Sequence, residues 1–348
     1  MPTSDALLNV ALNEGIKRRG LSGTAVACDA IRSALTDMAG VEFQPLARAG
    51  KPRDSRAANA LSDAVWDFYA APRMARDGII IHPANVGGRR RGVRSCLVLH
   101  DTMVLDHPDR FDPGFVAYAR CLFPVAVRLA DLVLTASEVT AGRIHTRWPR
   151  ARIEVVAWPV RVARTKSSRT HSSSRQVLVL AATDPHKRHA VAIETVRLLR
   201  LLSGIPYTLV FVGAEGRAEQ VVATLARIAD PTNQWIFRRP ALSDAQLVAE
   251  IDASWALLAT SEDEGFCLPL IEAAARAVPV VHTGAGAMAE IMPAGAVSSS
   301  AFDLAAALAA LIDDSRYREA SSTAWVRSDS FGAADFARRL SRALALVS

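Results

Sequence analysis

Glu264 and Glu272 flank the segment Gly265, Phe266, Cys267 and Leu268. The apolar run at residues 255–259 is short enough for a strand buried on both faces. Pro269 suits the first turn of a helix over about residues 269–277, because its missing N–H would be unpaired there anyway. The free amides that open such a helix favour an anion such as a phosphate. Two carboxylates that accept from hydroxyls, beside amides that hold phosphate, fit a ligand carrying both sugar hydroxyls and a diphosphate, as a nucleotide sugar does. The same residues have a plainer reading, in which Glu272 only complements the helix dipole and Glu262, Asp263 and Glu264 form a solvated acidic loop. Pro279 ends the helix, and Val280 and Val281 begin another strand. In a parallel sheet the loops at residues 260–268 and 283–287 then border one crevice, where a ligand binds.

The run EGFCLPLIEAAARAVPVV, followed by GAGAMAEI, closely resembles the EGFGLPxxEAMACGxPVV and GAxxE pattern of the family 4 retaining glycosyltransferases. The resemblance implies a GT-B fold, with two Rossmann-like parallel-sheet domains facing across a cleft. It also implies that Glu264 lies at the donor sugar in a catalytic position, that Glu272 accepts from the ribose hydroxyls, and that the amides of Gly265, Phe266, Cys267 and Leu268 border the diphosphate. Cys267 stands where the family usually has Gly, and Arg276 and Ala277 stand where it has Cys and Gly.

Other segments extend the resemblance in the same order. Residues 7–12 read as a first strand and residues 25–38 as a helix. In the loop between them, Gly23 is the best match to a GxGRY-like donor-binding segment, whose Arg and Tyr are absent here. VLHDTMVLDHPDRFDP is similar to TIHDLxPLxHPEWF and implies that His100 contacts the donor sugar, since imidazole donates or accepts near neutral pH. AATDPHKR resembles the last part of VGRLDPRKN, in which an Arg and a Lys hold the diphosphate. Lys187 matches the Lys, while Ala182 replaces the Arg. Either Arg188 or Arg238 supplies the missing charge, and Arg238 is favoured because it follows a strand expected at residues 235–237. Helical patterns cover residues 114–129, with a possible break at Pro124, and residues 191–202, 218–228, 303–312 and 315–324. Ser137 and Ser243 read as helix caps.

Composition is that of a two-core enzyme: 348 residues, half of them apolar, exceed what one core usually organises. We expect a first domain at residues 1–163 on the acceptor side, a Ser/Thr/Lys/Arg-rich linker at 164–175, a donor-binding domain at 176–330, and a last helix at 331–348 that crosses back to the first domain. The apolar runs fall short of a membrane span and no leader is read at the N-terminus, so the expected location is cytoplasmic. The scattered Cys28, Cys96, Cys121 and Cys267 suit neither a metal site nor a disulfide framework. The family is generally metal-independent, and no carboxylate pair for a divalent ion is read, so neither metal nor cofactor is expected beyond the nucleotide-sugar substrate. Residues 1–165 carry 23 Lys and Arg against 16 Asp and Glu, and the remainder 18 against 19. This basic excess admits a peripheral contact with an anionic membrane; nucleic acid is not expected, because no nucleic-acid motif accompanies it.

The function implied is transfer of a sugar, of the hexosyl type, from a nucleotide-diphosphate donor to an acceptor hydroxyl with retention of configuration. The acceptor is a glycan, a lipid-linked molecule or a small molecule. The alternative is a catalytically impaired GT-B homologue that acts as a nucleotide-binding partner or regulator, which Ala182 and Cys267 would explain.

Overall fold

The computed structural model describes residues 7–19, 23–50, 55–166 and 174–348. The chain divides into two compact units, one formed by Met1–Pro159 with Ala333–Ser348 and the other by Val160–Gly332. The division differs from the expected boundaries by a few residues at each junction. Residues 160–166 pack on the second unit: the Val160 amide donates to the Phe331 carbonyl at 2.8 Å, the Thr165 amide to that of Ala275 at 2.8 Å, and the Arg164 guanidinium lies 4.5 Å from the Trp325 ring centre. The rest of the expected linker, residues 167–173, lies outside the described residues.

In the first unit, strands β1 (Leu8–Asn13), β2 (Val41–Leu46), β3 (Gly78–His82), β4 (Val93–Val98), β5 (Leu132–Thr135) and β6 (Ile153–Val155) form a parallel sheet in the order β2-β1-β3-β4-β5-β6. Two core clusters include the Ala11, Ile80 and Val93 group and the Leu97, Val133, Phe123 and Ile144 group. Pro45 is tolerated because β2 is an edge strand, where a missing donor leaves no ladder partner unpaired. The Pro113–Leu129 helix runs through Pro124 rather than breaking there. Ser137 caps the next helix as expected, accepting from the Thr140 amide at 3.2 Å. The final Ala333–Ala345 helix contacts the Gly23–Thr36 helix within this unit.

The second unit holds β7 (Gln176–Leu180), β8 (Thr208–Val212), β9 (Ile236–Arg239), β10 (Ala256–Ala259) and β11 (Val280–His282), again all parallel, in the order β11-β10-β7-β8-β9. Its strands are apolar on both faces, as a sheet covered by helices on either side requires. Val177, Val179, Leu209, Phe211, Ala256 and Leu258 pack into one cluster, and the alternating Leu178, Val210, Val212, Leu257 and Ala259 into the other, which is the period of two along each strand. Ser243 forms a capping box with Gln246. No helix among the described residues is long and apolar enough to cross a membrane.

Each unit buries a histidine held neutral. His82 is fully buried, and burial lowers its pKa to about 4 despite its contact with the Gly88 carbonyl. Its Nε2–H donates to that carbonyl at 3.0 Å, and Nδ1 accepts from the Asn13 amide at 3.2 Å, so a second ring proton would face a donor. His189 is lowered to about 4 by burial and by the nearby Arg238 and Lys187. With folded pKa values below the unfolded 6.5, both contribute stability that is complete above pH 6.5 and declines as pH falls toward 4. Chemical denaturation should therefore give a stability about 2 kcal/mol lower per histidine at pH 5 than at pH 7.5. A flat profile over that range contradicts the assignment.

Candidate functional site

In a doubly wound sheet, ligands bind beyond the carboxyl ends of the strands where the strand order reverses. For the second unit that point lies between β7 and β10. Lys187, in a 3-10 turn at Pro185–Lys187, and Glu264, in the loop after β10, meet there with Nζ 2.6 Å from Oε1. Ser261 Oγ donates to the same carboxylate oxygen at 2.6 Å, and Thr260 Oγ1 donates to the Lys187 carbonyl at 2.8 Å. Burial pushes the Glu264 carboxyl up, but Lys187 and the Ser261 hydrogen bond outweigh it and hold the group below the usual carboxylate value. The carboxylate is thus anionic at neutral pH.

The acidic loop is locked by the glycine-rich one. The Ala287 amide donates to the Glu264 carbonyl at 2.9 Å. Gly286 has φ +58°, and a Cβ there would come within 2.3 Å of an Asp263 carboxylate oxygen and 2.4 Å of the Glu264 carbonyl. Only glycine satisfies both conditions.

Glu272 lies in the Leu268–Ala275 helix and is buried. Burial raises its pKa, and Arg161 offsets this only in part. The Arg161 guanidinium approaches one Glu272 carboxylate oxygen, with Nε at 2.7 Å and a terminal nitrogen at 2.6 Å. Sequence reasoning missed Arg161 and Ser261, because both act through contacts made by tertiary structure; a serine three positions before Glu264 was the only local signal. Phe266 packs edge-on against Phe331 with ring centres 5.8 Å apart, which fixes the approach to the helix start.

Arg238 lies within β9 rather than after it, because the strand extends two residues beyond its expected end. Its guanidinium donates to the Gly213 carbonyl at 2.9 Å and pairs with Glu219 at 3.1 Å. Gly213 in turn packs so closely on Ala181 and Ala182 that a Cβ would lie 2.9 Å from the Ala182 nitrogen. Arg238 therefore reaches the backbone neighbourhood of Ala182, the position that lacks an arginine. Arg188 is not in the helix: it precedes the His189–Ser203 helix with φ +52° and ψ +48°, so helical spacing does not set its direction.

Two of the three departures from this motif, Cys267 and Ala277 but not Arg276, fall on left-handed backbone. Cys267 has φ +75° and Ala277 has φ +56°, and both stand where the resembling pattern has glycine. The backbone that glycine would favour is kept, with strain in place of glycine. Burial raises the Cys267 thiol well above its ordinary pKa, so the thiol is neutral. At Ala277 the Val278 amide donates to Ala273 and the Ala277 amide to Ala274, a Schellman end whose left-handed residue is usually glycine. Ala277→Gly should stabilise the protein by about 0.2–1.2 kcal/mol, since relief of roughly 1–2 kcal/mol of strain exceeds about 0.8 kcal/mol of lost methyl burial. A denaturation midpoint that stays level or falls contradicts this.

Gly23 and His100 belong to the first unit. Gly23 opens the Gly23–Thr36 helix rather than sitting in the loop before it, and a Cβ there would meet nothing within 4 Å. His100 follows β4; its Nε2 is 2.8 Å from the Pro83 carbonyl and its ring lies 5.6 Å from that of Trp158. Burial lowers its pKa, so the ring is neutral, with Nε2–H donated to Pro83 and Nδ1 as an acceptor.

Comparisons with known proteins agree with this architecture. Residues 163–324 match the family model described as glycosyl transferases group 1. The chain is 26% identical over 216 residues to the serotype-specific mannosyltransferase WbdA of Escherichia coli, a match covering 56% of this chain and 26% of that protein. It thus spans about a quarter of the curated relative. Among solved structures, HepE of Anabaena in complex with UDP and glucose superposes with a TM-score of 0.68 at 16% identity, covering 97% of this chain and 99% of that one. Sucrose-phosphate synthase of Thermosynechococcus elongatus gives 0.67 at 16% identity, with 98% and 100% covered. The lipopolysaccharide outer core galactosyltransferase WaaB gives 0.63 at 17% identity, with 98% and 100% covered. The fold is GT-B, built from two parallel-sheet α/β units, and the matched family segment lies in the second of them.

Proposed function

We propose that this protein is a glycosyltransferase that takes a sugar from a nucleoside-diphosphate donor, carrying UDP, the nucleotide in the HepE complex, or another base, and passes it to an acceptor hydroxyl. The observation that carries the proposal is the Lys187–Glu264 pair at the β7/β10 switch point, followed by a helix that presents Glu272. Lys187 and the amides from Gly265 to Leu268 neutralise the diphosphate, whose negative charge grows as the glycosidic bond breaks. Glu272 accepts from the ribose diol, exchanging its contact with Arg161 for the ligand. Glu264 faces the donor sugar as positive charge develops there. Retention of configuration, a hexosyl donor and independence from a divalent ion complete the proposal; they rest on the resemblance of the EGFCLPLIEAAARAVPVV run.

Contact with an anionic membrane is not part of the proposal. Several arginines of the basic runs are engaged within the first unit: Arg18 and Arg48 with Asp63, Arg89 and Arg94 with Asp131, and Arg90 with Asp77. The impaired-homologue alternative weakens too, because Arg238 lies close to the gap at Ala182.

The test is a turnover assay with a set of nucleotide sugars, run with and without EDTA, with the anomeric configuration of the product read by NMR. Transfer or donor hydrolysis that persists in EDTA and gives the donor's anomer supports the proposal. Nucleotide binding without either reaction supports the impaired homologue. The cation assignment is checked separately: Arg238→Ala should weaken nucleoside diphosphate binding about fivefold to tenfold, more than Arg188→Ala, as one charge-assisted contact of about 1–1.5 kcal/mol implies. Equal effects in folded variants contradict it.

A further inference from the structure

Arg276 stands where the resembling pattern has Cys, and the site described so far leaves it without a role. Its guanidinium grips Asp252 through two nitrogens, at 2.8 and 2.5 Å. The third nitrogen donates to the Ala163 carbonyl at 2.9 Å and to Thr165 Oγ1 at 2.7 Å. Residues 163–165 are thereby fastened to the end of the Leu268–Ala275 helix, whose Ala275 carbonyl also accepts from the Thr165 amide. Arg164 adds a second fastening, with Nε 3.0 Å from Ser328 Oγ and a terminal nitrogen 2.5 Å from Asp329. At the other end the Phe331 carbonyl holds the Val160 amide, and Val162 is buried. A segment without regular secondary structure is so tied down as a strap on the second unit.

The strap presents Arg161 to Glu272. Glu272 and Arg276 lie one helical turn apart and so on one side of the helix, which lets a strap fastened at Arg276 pass over Glu272. Nε and one terminal nitrogen of Arg161 both approach Oε1 of Glu272, at 2.7 and 2.6 Å. The other terminal nitrogen is 3.3 Å from Asp244. Oε2 of Glu272 meets no donor among the described residues. A carboxylate has about four lone-pair sites, two on each oxygen. Arg161 fills those of one oxygen and leaves the other oxygen to a ligand.

Such a hold matters because Glu272 is buried. Burial favours the uncharged acid, Asp244 pushes the same way, and Arg161 is the group that opposes both. A charged acceptor makes the stronger hydrogen bond to a hydroxyl, and a contact fixed beforehand loses less on binding. We propose that Arg161 is a positioning residue for ribose recognition: it holds Glu272 by one oxygen so that the other receives the nucleotide's diol, and Arg276 acts through the strap to keep it there. The first hydroxyl takes Oε2. The second replaces one of the two Arg161 hydrogen bonds on Oε1, and the guanidinium charge stays beside the carboxylate. This rests on the nucleotide-sugar reading and deepens it with two arginines to which the motif gives no part.

The test is calorimetric titration of the full chain and its variants with UDP, GDP and ADP, and with the 2′-deoxy counterpart of whichever binds. Arg161→Gln should lower affinity for the ribonucleotide about tenfold or more and for the 2′-deoxy compound about threefold or less, as loss of a charge-assisted contact to the diol implies. Arg161→Lys, which returns a cation to Oε1, should recover most of the loss. Arg276→Met leaves Arg161 and Glu272 in place and should lower ribonucleotide affinity about threefold; combined with Arg161→Gln it should add nothing, because both act through one contact. If Arg161→Gln does not fold, Arg276→Met decides, and an unchanged affinity there overturns the inference. Equal losses for both nucleotides without rescue by lysine would make Arg161 merely structural, and a rise in affinity in Arg161→Gln would make it a competitor of the ribose; either result overturns the inference. If nucleotide affinity falls in Glu272→Ala but stays level in Arg161→Gln, the inference alone fails. If none of the three nucleotides binds the parent protein, the nucleotide-sugar reading fails and the inference with it.

Discussion

Glu264→Gln lowers sugar transfer by about two to three orders of magnitude while nucleoside diphosphate affinity stays level or rises. The loss is of the size seen when one preorganised electrostatic contact to a transition state is removed. Glutamine keeps the shape and the hydrogen-bonding oxygen, so what disappears is charge. Lys187 holds Glu264 ionised in a buried place, and an anion there is most valuable when positive charge develops on the donor sugar. The same substitution removes the counter-charge of Lys187, which leaves its ammonium more available to the diphosphate. Turnover and ground-state binding should therefore separate. Equal losses in both would make Glu264 a structural member of the loop.

Glu272→Ala weakens nucleoside diphosphate binding by about 1–3 kcal/mol, roughly fivefold to 150-fold, the cost of losing hydrogen bonds from a diol to a buried carboxylate. Its loss also removes the Arg161 contact at 2.6 Å and leaves that guanidinium with Asp244 at 3.3 Å as its remaining carboxylate partner. A 2′-deoxy nucleotide separates the two effects. The variant should lose much less affinity for it than for the ribonucleotide, because part of the contact is already missing. Equal losses for both nucleotides would point to a structural role, and unchanged affinity in the folded variant would end the ribose assignment.

The second unit was readable because its sheet is buried on both faces. Runs such as QVLVL, TLVFV and ALLA have few alternatives to a parallel strand, and Pro269 and Pro279 punctuate the helix between β10 and β11. The first unit was less legible. β2 carries Pro45 in VEFQPL, which argues against a strand until its edge position is known. The stretch at residues 56–74 went unread as a helix because Leu61, Val65, Tyr69 and Met74 face outward, so its hydrophobic spacing does not report a buried face; with it went Asp63, Trp66 and Asp67. Gly265–Leu268 and Glu272 were placed by local pattern, and the structure sets them at one helix start. The partners of the site residues were invisible for a different reason. Arg161 is separated from Glu272 by 111 residues and Lys187 from Glu264 by 77, and no local periodicity encodes such meetings. Left-handed backbone at Arg188, Cys267 and Ala277 was equally hidden, since none of these residue types announces it.

The central claim is that the β7/β10 switch point binds the diphosphate of a nucleotide sugar through Lys187. Calorimetric titration of the intact protein and of Lys187→Ala with UDP, GDP and ADP tests it most directly. At least one nucleotide should bind the parent protein, and the variant should lose at least tenfold in affinity for it while its affinity for the corresponding nucleoside, which lacks the phosphates, stays the same. Absence of binding by all three, or a variant that binds the diphosphate as well as the parent does, would contradict the account.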